Sequence, residues 1–254
     1  MNPLPPIRLA AFDLDGTLAE SKQRVSAEIG DLITQLLHKM PVAVMSGGGW
    51  KQFETQFLSA LPEEENFSRL YLFPDNAAQC FVHKSGAWHP QYDNAFTPQE
   101  REHILKALKE ALEESGLSEA PVRIWGERVE DRGAEITFSG LGQDAPPEEK
   151  RRWDPDGSKK NALRQALERR LPEFSEGSNG STSVDITRKG ITKAYGIRRL
   201  AELSGVPIEH MLYVGDALEE GGNDAVVIET GVRTHAVFSP QETAALIESL
   251  LRRP

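Results

Sequence analysis

The segment IRLAAFDLDGTL (residues 7–18) is an apolar run of strand length that stops abruptly at two carboxylates, Asp13 and Asp15, followed by Gly16 and Thr17. A strand that ends in such a turn delivers reactive groups to the carboxyl end of a sheet, where open α/β folds bind ligands. Acids at spacing two in a strand share one face, so Asp13 and Asp15 are expected on the same side. A bare Asp-x-Asp also occurs in surface turns, but the strand before it and Gly16-Thr17 after it favour chemistry. Metal-assisted phosphoryl transfer can use such a pair: one carboxylate can bind Mg²⁺ and attack phosphorus while its neighbour handles the leaving-group proton.

The rest of the chain supplies a β-α-β rhythm around that strand. Leu4–Phe12 reads as a strand and Glu28–Met40 as a helix, with Ile29, Leu32, Ile33, Leu36 and Leu37 on one stripe. Val42–Met45 is a short buried run broken by Ser46 and three glycines, Trp50–Leu61 is helical, and Arg69–Phe73 is another strand. This predicts a Rossmann-like, doubly wound parallel sheet. The pattern then changes to a hairpin (Phe81–Trp88), a helix (Gln99–Ser115), strands at Val122–Trp125 and Ala134–Phe138, a helix (Asn161–Leu171) and a strand (Ser181–Ile186). A helix from Thr192 to Leu203 and the buried strand Met211–Gly215 resume the first rhythm. The expected architecture is an α/β core, residues 1–82 and 188–254, interrupted by an α+β cap over residues 83–187. Trp88, Trp125 and Trp153 then fall in the cap, and hinges are expected near Val82 and Arg188.

Length and charge bound the function. A chain of 254 residues can bury one large core or two. Its formal charge of −10 argues against nucleic acid or an anionic membrane as the main partner. No apolar stretch approaches the roughly 20 residues of a membrane span, and the first residues lack signal-peptide character, so a cytoplasmic address is expected. Cys80 is the only cysteine, which excludes an internal disulfide and a cysteine metal site. The six histidines lack metal-ligand spacing, the acidic run Glu63–Glu65 reads as solvated, and DPDG (residues 154–157) reads as a turn rather than a calcium loop.

Three further strand ends or helix starts carry polar groups. Ser46 and Gly47 after Val42–Met45 form a candidate phosphate cradle. Thr192 suits an N-cap, which puts Lys193 in the first turn, where a cation opposes the helix dipole and makes sense beside an anion. Gly215-Asp216 and then Asn223-Asp224 follow the strand at 211–214. Mg²⁺ takes carboxylates, waters and substrate phosphate, so Asp13, Asp216 and the backbone carbonyl of Asp15 would suffice to hold it.

Together these four features resemble the haloacid dehalogenase superfamily, with the cap inserted as in subclass IIB. That resemblance implies Asp13 as nucleophile, Asp15 as general acid/base, Ser46 and Lys193 as phosphoryl ligands, and Asp216 with Asn223 and Asp224 around Mg²⁺. More closely, GDALEEGGND (215–224) resembles the G-D-x(4–5)-G-G-N-D run of eukaryotic-type phosphomannomutases. RGAEITFSGLG (132–142) is similar to their R-N-G-x-x-N-V-S-P-x-G, and GSTSVDI (180–186) to their G-x-x-S-x-D-V. This implies Arg132, Ser183 and Asp185 as sugar-phosphate contacts. Where that family places arginines, this chain has Lys22 after the nucleophile loop, and Gln143 and Lys150 in the cap; lysine lacks arginine's bidentate fork and glutamine its charge.

The resemblance implies a Mg²⁺-dependent interconversion of mannose 6-phosphate and mannose 1-phosphate, or of the glucose phosphates, with hexose 1,6-bisphosphate as activator. It also implies a homodimer through the cap. A sugar-phosphate phosphatase using the same residues is the alternative. A cap that closes to exclude water is expected of a mutase.

Overall fold

The computed structural model describes residues 5–62, 67–177 and 182–252. The start of the chain, Glu63–Glu65, and Gly180 and Ser181 of the 180–186 motif lie outside them. In chain order the first elements are β1 (Leu9–Asp13), α1 (Ala27–Lys39), β2 (Val42–Met45), α2 (Trp50–Gln52), β3 (Leu70–Phe73), β4 (Gln79–Lys84) and β5 (Ala87–Asp93). Then come α3 (Pro98–Glu114), β6 (Val129–Asp131), β7 (Ile136–Ser139), α4 (Pro147–Trp153), α5 (Ser158–Glu168), β8 (Phe174–Gly177) and β9 (Ser183–Arg188). The last are α6 (Lys193–Ser204), β10 (Met211–Gly215), β11 (Arg233–Ala236) and α7 (Pro240–Arg252).

One unit comprises Met1–Asp93 with Ile191–Pro254. Its sheet runs β11-β10-β1-β2-β3-β4-β5, parallel from β11 to β3 and antiparallel at β4 and β5. The alternation of β1 divides the core. Ala10 and Phe12 pack with Ile29, Ile33 and Leu36 of α1 and Ile247 of α7, while Leu9 and Ala11 pack with Ile197 and Leu200 of α6. Asp13 continues the second parity, toward the α6 face. The Ser26 hydroxyl caps α1 by accepting the Ile29 N–H, a contact worth about 1 kcal/mol.

The second unit is Asn94–Gly190. Its antiparallel sheet, order β6-β7-β9-β8, again alternates. Ile136, Phe138, Val184 and Ile186 pack with Ile104, Leu108, Leu163 and Leu167 of α3 and α5. The opposite parity, Thr137, Ser139, Ser183 and Asp185, carries polar groups.

Several expectations change. The hairpin, Trp88 included, belongs to the core sheet, because β4 pairs with β3 through Tyr71↔Val82 and Leu72↔Phe81. The second unit therefore begins at residue 94 rather than 83. Val82 lies mid-strand inside the first unit rather than at a division between the units, whereas Arg188 ends β9, with its guanidinium on Glu100 and on the Asn94 and Ala95 carbonyls, and the units divide two residues later, between Gly190 and Ile191. Residues 122–125 form no strand. Gly126 and Gly142 have φ of +74° and +89°, and a Cβ on Gly142 would stand 2.2 Å from the Trp125 carbonyl oxygen, so this stretch packs on the turn after β7. The pairing strand is β6, four residues later. The DPDG stretch is a helix-start turn: Asp154 accepts the Lys159 and Lys160 N–H groups, and Asp156 that of Ser158. No helix among the described residues is long and apolar enough to cross a membrane.

Candidate active site

The carboxyl ends of β1 and β10 lie side by side, which brings Asp13 close to the turn that follows Gly215. Three acids converge there. Oxygens of Asp13, Asp216 and Asp224 lie within 4.8 Å of one another. Two glycines make room for them. Gly16, at φ +83°, would put a Cβ 2.2 Å from Asp216 Oδ2, and Gly215 would put one 2.3 Å from Asp224 Oδ2. Any side chain at either position would displace a carboxylate.

Lys193 is the cation of this cluster. Thr192 caps α6, its hydroxyl accepting the Tyr195 N–H, so Lys193 opens the helix. The side chain is 1% exposed, and its ammonium donates to Asp13 Oδ1 (2.5 Å) and Asp224 Oδ1 (2.6 Å). Burial works to discharge the amine, but the two carboxylates outweigh it and raise its pKa. Burial pushes the Asp13 carboxyl up to about 7, with Lys193 opposing the rise and Asp224 and Asp216 adding to it. Asp216 is raised by burial and then by Asp224. Tyr213 donates to Asp224 Oδ1 at 2.6 Å, and burial, with Asp224 next, keeps its phenol protonated. Asp224 also accepts the Ala217 N–H on Oδ2. Oxygen-only donors carrying more negative than positive charge fit a hard divalent cation. Asn223 lies exposed beside the buried Asp224.

Asp15 stands apart from that cluster, contrary to the expectation that it would share a face with Asp13. β1 ends at Asp13, and the tight turn Gly16–Ala19 redirects the chain. The Asp15 carboxylate accepts the Lys22 backbone N–H (2.7 Å) on Oδ1, Gln52 Nε2 (2.7 Å) on Oδ2 and Gln56 Nε2 (3.0 Å) on Oδ1. Lys22 thus enters through its main chain, at φ +58°. Gln52 and Gln56 lie on a helical stretch that opens as α2 and widens into a π turn at Phe53–Phe57. Their i, i+4 spacing was a readable signal that the sequence reading passed over.

Ser46 follows Met45, the residue paired with Asp13 across β1 and β2, and is 1% exposed. Its Oγ accepts the Gly48 N–H at 3.0 Å, and Gly47 lies between them.

In the second unit, Arg132 and Asp185 join one polar network. Arg132 donates to Glu130 Oε2 and Glu135 Oε1, both at 2.7 Å. The Thr137 hydroxyl lies 2.8 Å from Asp185 Oδ1 and 3.1 Å from Glu135 Oε1. Burial acts to lower the Arg132 pKa, but Glu135 and Glu130 outweigh it. Glu135, fully buried, was not anticipated; an acid between Ala134 and Ile136 was its sequence signal. Ser183, the first residue of β9, pairs with Ser139, the last of β7. Lys150 Nζ donates to the Gln143 carbonyl at 3.1 Å, so these two residues meet.

A family model described as haloacid dehalogenase-like hydrolase matches residues 150–229, a stretch that contains Lys193, Asp216 and Asp224. The phosphomannomutase of Saccharomyces cerevisiae is 26% identical over 258 residues, covering 96% of this chain and 94% of the relative. That of Spinacia oleracea is 24% identical, covering 94% and 93%. Among solved structures, a haloacid dehalogenase-like hydrolase from Bacteroides thetaiotaomicron superposes with a TM-score of 0.66 at 15% identity, covering 96% of this chain and 99% of that one. The trehalose-6-phosphate phosphatase C-terminal domain of C. albicans gives 0.64 at 15% identity, covering 96% and 92%. At these identities the structural likeness speaks for the fold.

Proposed function

We propose that this chain, a haloacid dehalogenase-like phosphotransferase distantly similar over its full length to the eukaryotic phosphomannomutases, moves phosphoryl groups on hexose phosphates through an aspartyl-phosphate on Asp13. One observation carries the reading: two carboxylates two residues apart have opposite environments. Asp13 is buried against Lys193 beside two other acids, whereas Asp15 is held by three neutral N–H donors. That division suits a nucleophile and an acid/base.

Asp13 attacks phosphorus, a P–O bond breaks, and Asp15 gives its proton to the departing oxygen. Asp15 then takes the proton of the incoming hydroxyl as that oxygen attacks the acyl phosphate and frees Asp13. Gln52 and Gln56 keep Asp15 aimed throughout. Ser46 already accepts the Gly48 N–H, so its own proton serves a phosphoryl oxygen. Lys193 neutralises phosphoryl charge and is kept in place by Asp224, whose other oxygen is occupied by Ala217. Asp13 and Asp216, with the Asp15 carbonyl, would hold Mg²⁺, which supplies charge neutralisation and orients the phosphoryl group.

The full-length similarity to phosphomannomutases supports a hexose acceptor, with hexose 1,6-bisphosphate as activator. A specific observation favours water as the second reading. Arg132 is already neutralised by Glu130 and Glu135, and two arginine positions of that family hold Gln143 and Lys150, neither of which offers a phosphate the bidentate fork of arginine. Mannose 1-phosphate, Mg²⁺ and a trace of hexose 1,6-bisphosphate separate the two. Mannose 6-phosphate formation is expected. Free phosphate without isomer overturns the mutase and leaves a phosphatase, and neither product, with no label on Asp13, overturns both. Asp13→Asn should abolish either activity.

A further inference from the structure

Between β3 and β4 the chain turns through three consecutive residues in the left-handed region, none of them glycine: Asp75 (φ +51°), Asn76 (+54°) and Ala77 (+69°). Asparagine tolerates this conformation, but a Cβ on alanine does not favour it, and such strain persists only where the surroundings over-determine it. Asp75 and Ala77 are buried.

Two sets of contacts hold the turn, and they lead to different parts of the site. On one side it is bonded to the Ser46 loop. The Ser46 N–H donates to the Phe73 carbonyl (3.1 Å), the Asn76 N–H to that of Ser46 (2.9 Å), and the Asp75 N–H to that of Gly48 (3.1 Å). On the other side the Ala77 methyl rests on α6. A Cβ at Gly196 would lie 2.6 Å from Ala77 Cβ and 3.2 Å from Met45 Sδ. Glycine is a poor helix interior residue, and Gly196 is buried one turn after Lys193. Its lack of a side chain is what lets α6 approach the turn. The Tyr92 hydroxyl, donating to the Ala77 carbonyl at 2.9 Å, closes the remaining side.

We propose that the Asp75–Ala77 turn, seated on Gly196, sets the spacing between the Ser46 hydroxyl and the Lys193 ammonium. Ala77 and Gly196 are therefore positioning residues for phosphoryl binding. The proposal rests on the phosphotransferase reading, since those two groups are the ones that would grip the phosphoryl. Backbone strain alone would favour glycine at 77, against the burial of one methyl in the core. Here the methyl is kept at a strained φ, and a helix glycine is matched to it.

The matched pair gives a compensating test. Gly196→Ala, Ala77→Gly and the double variant are compared with wild type for orthovanadate binding by calorimetry in Mg²⁺ buffer, with melting temperature recorded alongside. Gly196→Ala should weaken vanadate binding by about tenfold or more, since ångström-scale misplacement has effects of that order. Removing the opposing methyl should restore it to within about threefold of Ala77→Gly alone, the coupling expected of residues in contact. Gly196→Ala that folds and binds as wild type overturns the proposal, as does a folded double variant without recovery. If Gly196→Ala fails to fold, Ala77→Gly decides: weaker vanadate binding at an undiminished melting temperature supports the proposal, and unchanged binding overturns it. A wild type that neither binds vanadate nor labels on Asp13 overturns the phosphotransferase reading and this proposal with it. A wild type that does, with variants that match it, overturns only the positioning role.

Discussion

Lys193→Met tests the buried charge cluster with the least change in side-chain volume. The ammonium lies 2.5 Å from Asp13 and 2.6 Å from Asp224, all three groups essentially out of water. Removing one partner of a buried ion pair costs about 3–5 kcal/mol, because the remaining charge is left unpaired. At about 2–4 °C per kcal/mol for a chain of this size, the melting temperature should fall by roughly 10 °C at pH 8 in EDTA. The deficit should depend on pH with a definite sign. Asp13 has a folded pKa of about 7 against an ordinary 3.8. An acid raised in this way takes up a proton on folding, so its cost is complete above about pH 7 and disappears as the pH falls toward 4. Without the ammonium the rise is larger, and a proton can take its place. The deficit should therefore be greatest at pH 8 and shrink steadily toward pH 5. Melting followed by circular dichroism at both pH values reads it directly. An equal deficit at the two, or one under about 2 °C at pH 8, would refute the reasoning.

Three other perturbations probe separate parts. Asp15→Asn should leave Asp13 able to accept a phosphoryl group from a good leaving group while slowing turnover by about 10²-fold or more, seen as accumulating aspartyl-phosphate in a quench assay. Gly16→Ala places a methyl 2.2 Å from Asp216 Oδ2 at φ +83°; if the acid cluster holds Mg²⁺, the wild type should melt higher with Mg²⁺ than in EDTA and this variant should lose that rise. Glu100 caps α3 through Thr97 and pairs with Arg188, and Arg188 first, then Thr97, hold its carboxyl down at about 2. Its contribution is full above about pH 4.5 and lost as the pH falls toward 2. Glu100→Gln should therefore cost about 1 kcal/mol at pH 7 and progressively less below pH 4.5, measured by thermal melts of the full chain.

The parts of the site that were legible in the sequence are those fixed by one element's own periodicity. Asp13 ends a strand with every residue buried, and Thr192 caps the helix that begins with Lys193, so both residues follow from local rules. Asp216 and Asp224 were readable as acids after another buried strand, though not the glycines that hold them, because a cradle is a property of two chain segments at once. Asp15 was misplaced for a related reason. Spacing two implies a shared face only while the strand lasts, and β1 ends at Asp13, two residues before Asp15. The hairpin went to the wrong unit because an isolated pair of strands has the same pattern wherever it docks; only the pairing of β3 with β4 decides. The same limit governs function. On the proposed reading the nucleophile is written in one strand, whereas the charge around Arg132 is set within the second unit. There Glu135, one side chain between two apolar neighbours, alters the meaning of Arg132. Glu135→Gln leaves the packing volume unchanged and returns part of that positive charge. If the chain isomerises hexose phosphates and distal-phosphate affinity limits it, this variant should raise the ratio of isomer to free phosphate. A ratio unmoved would mean that the acceptor is chosen elsewhere.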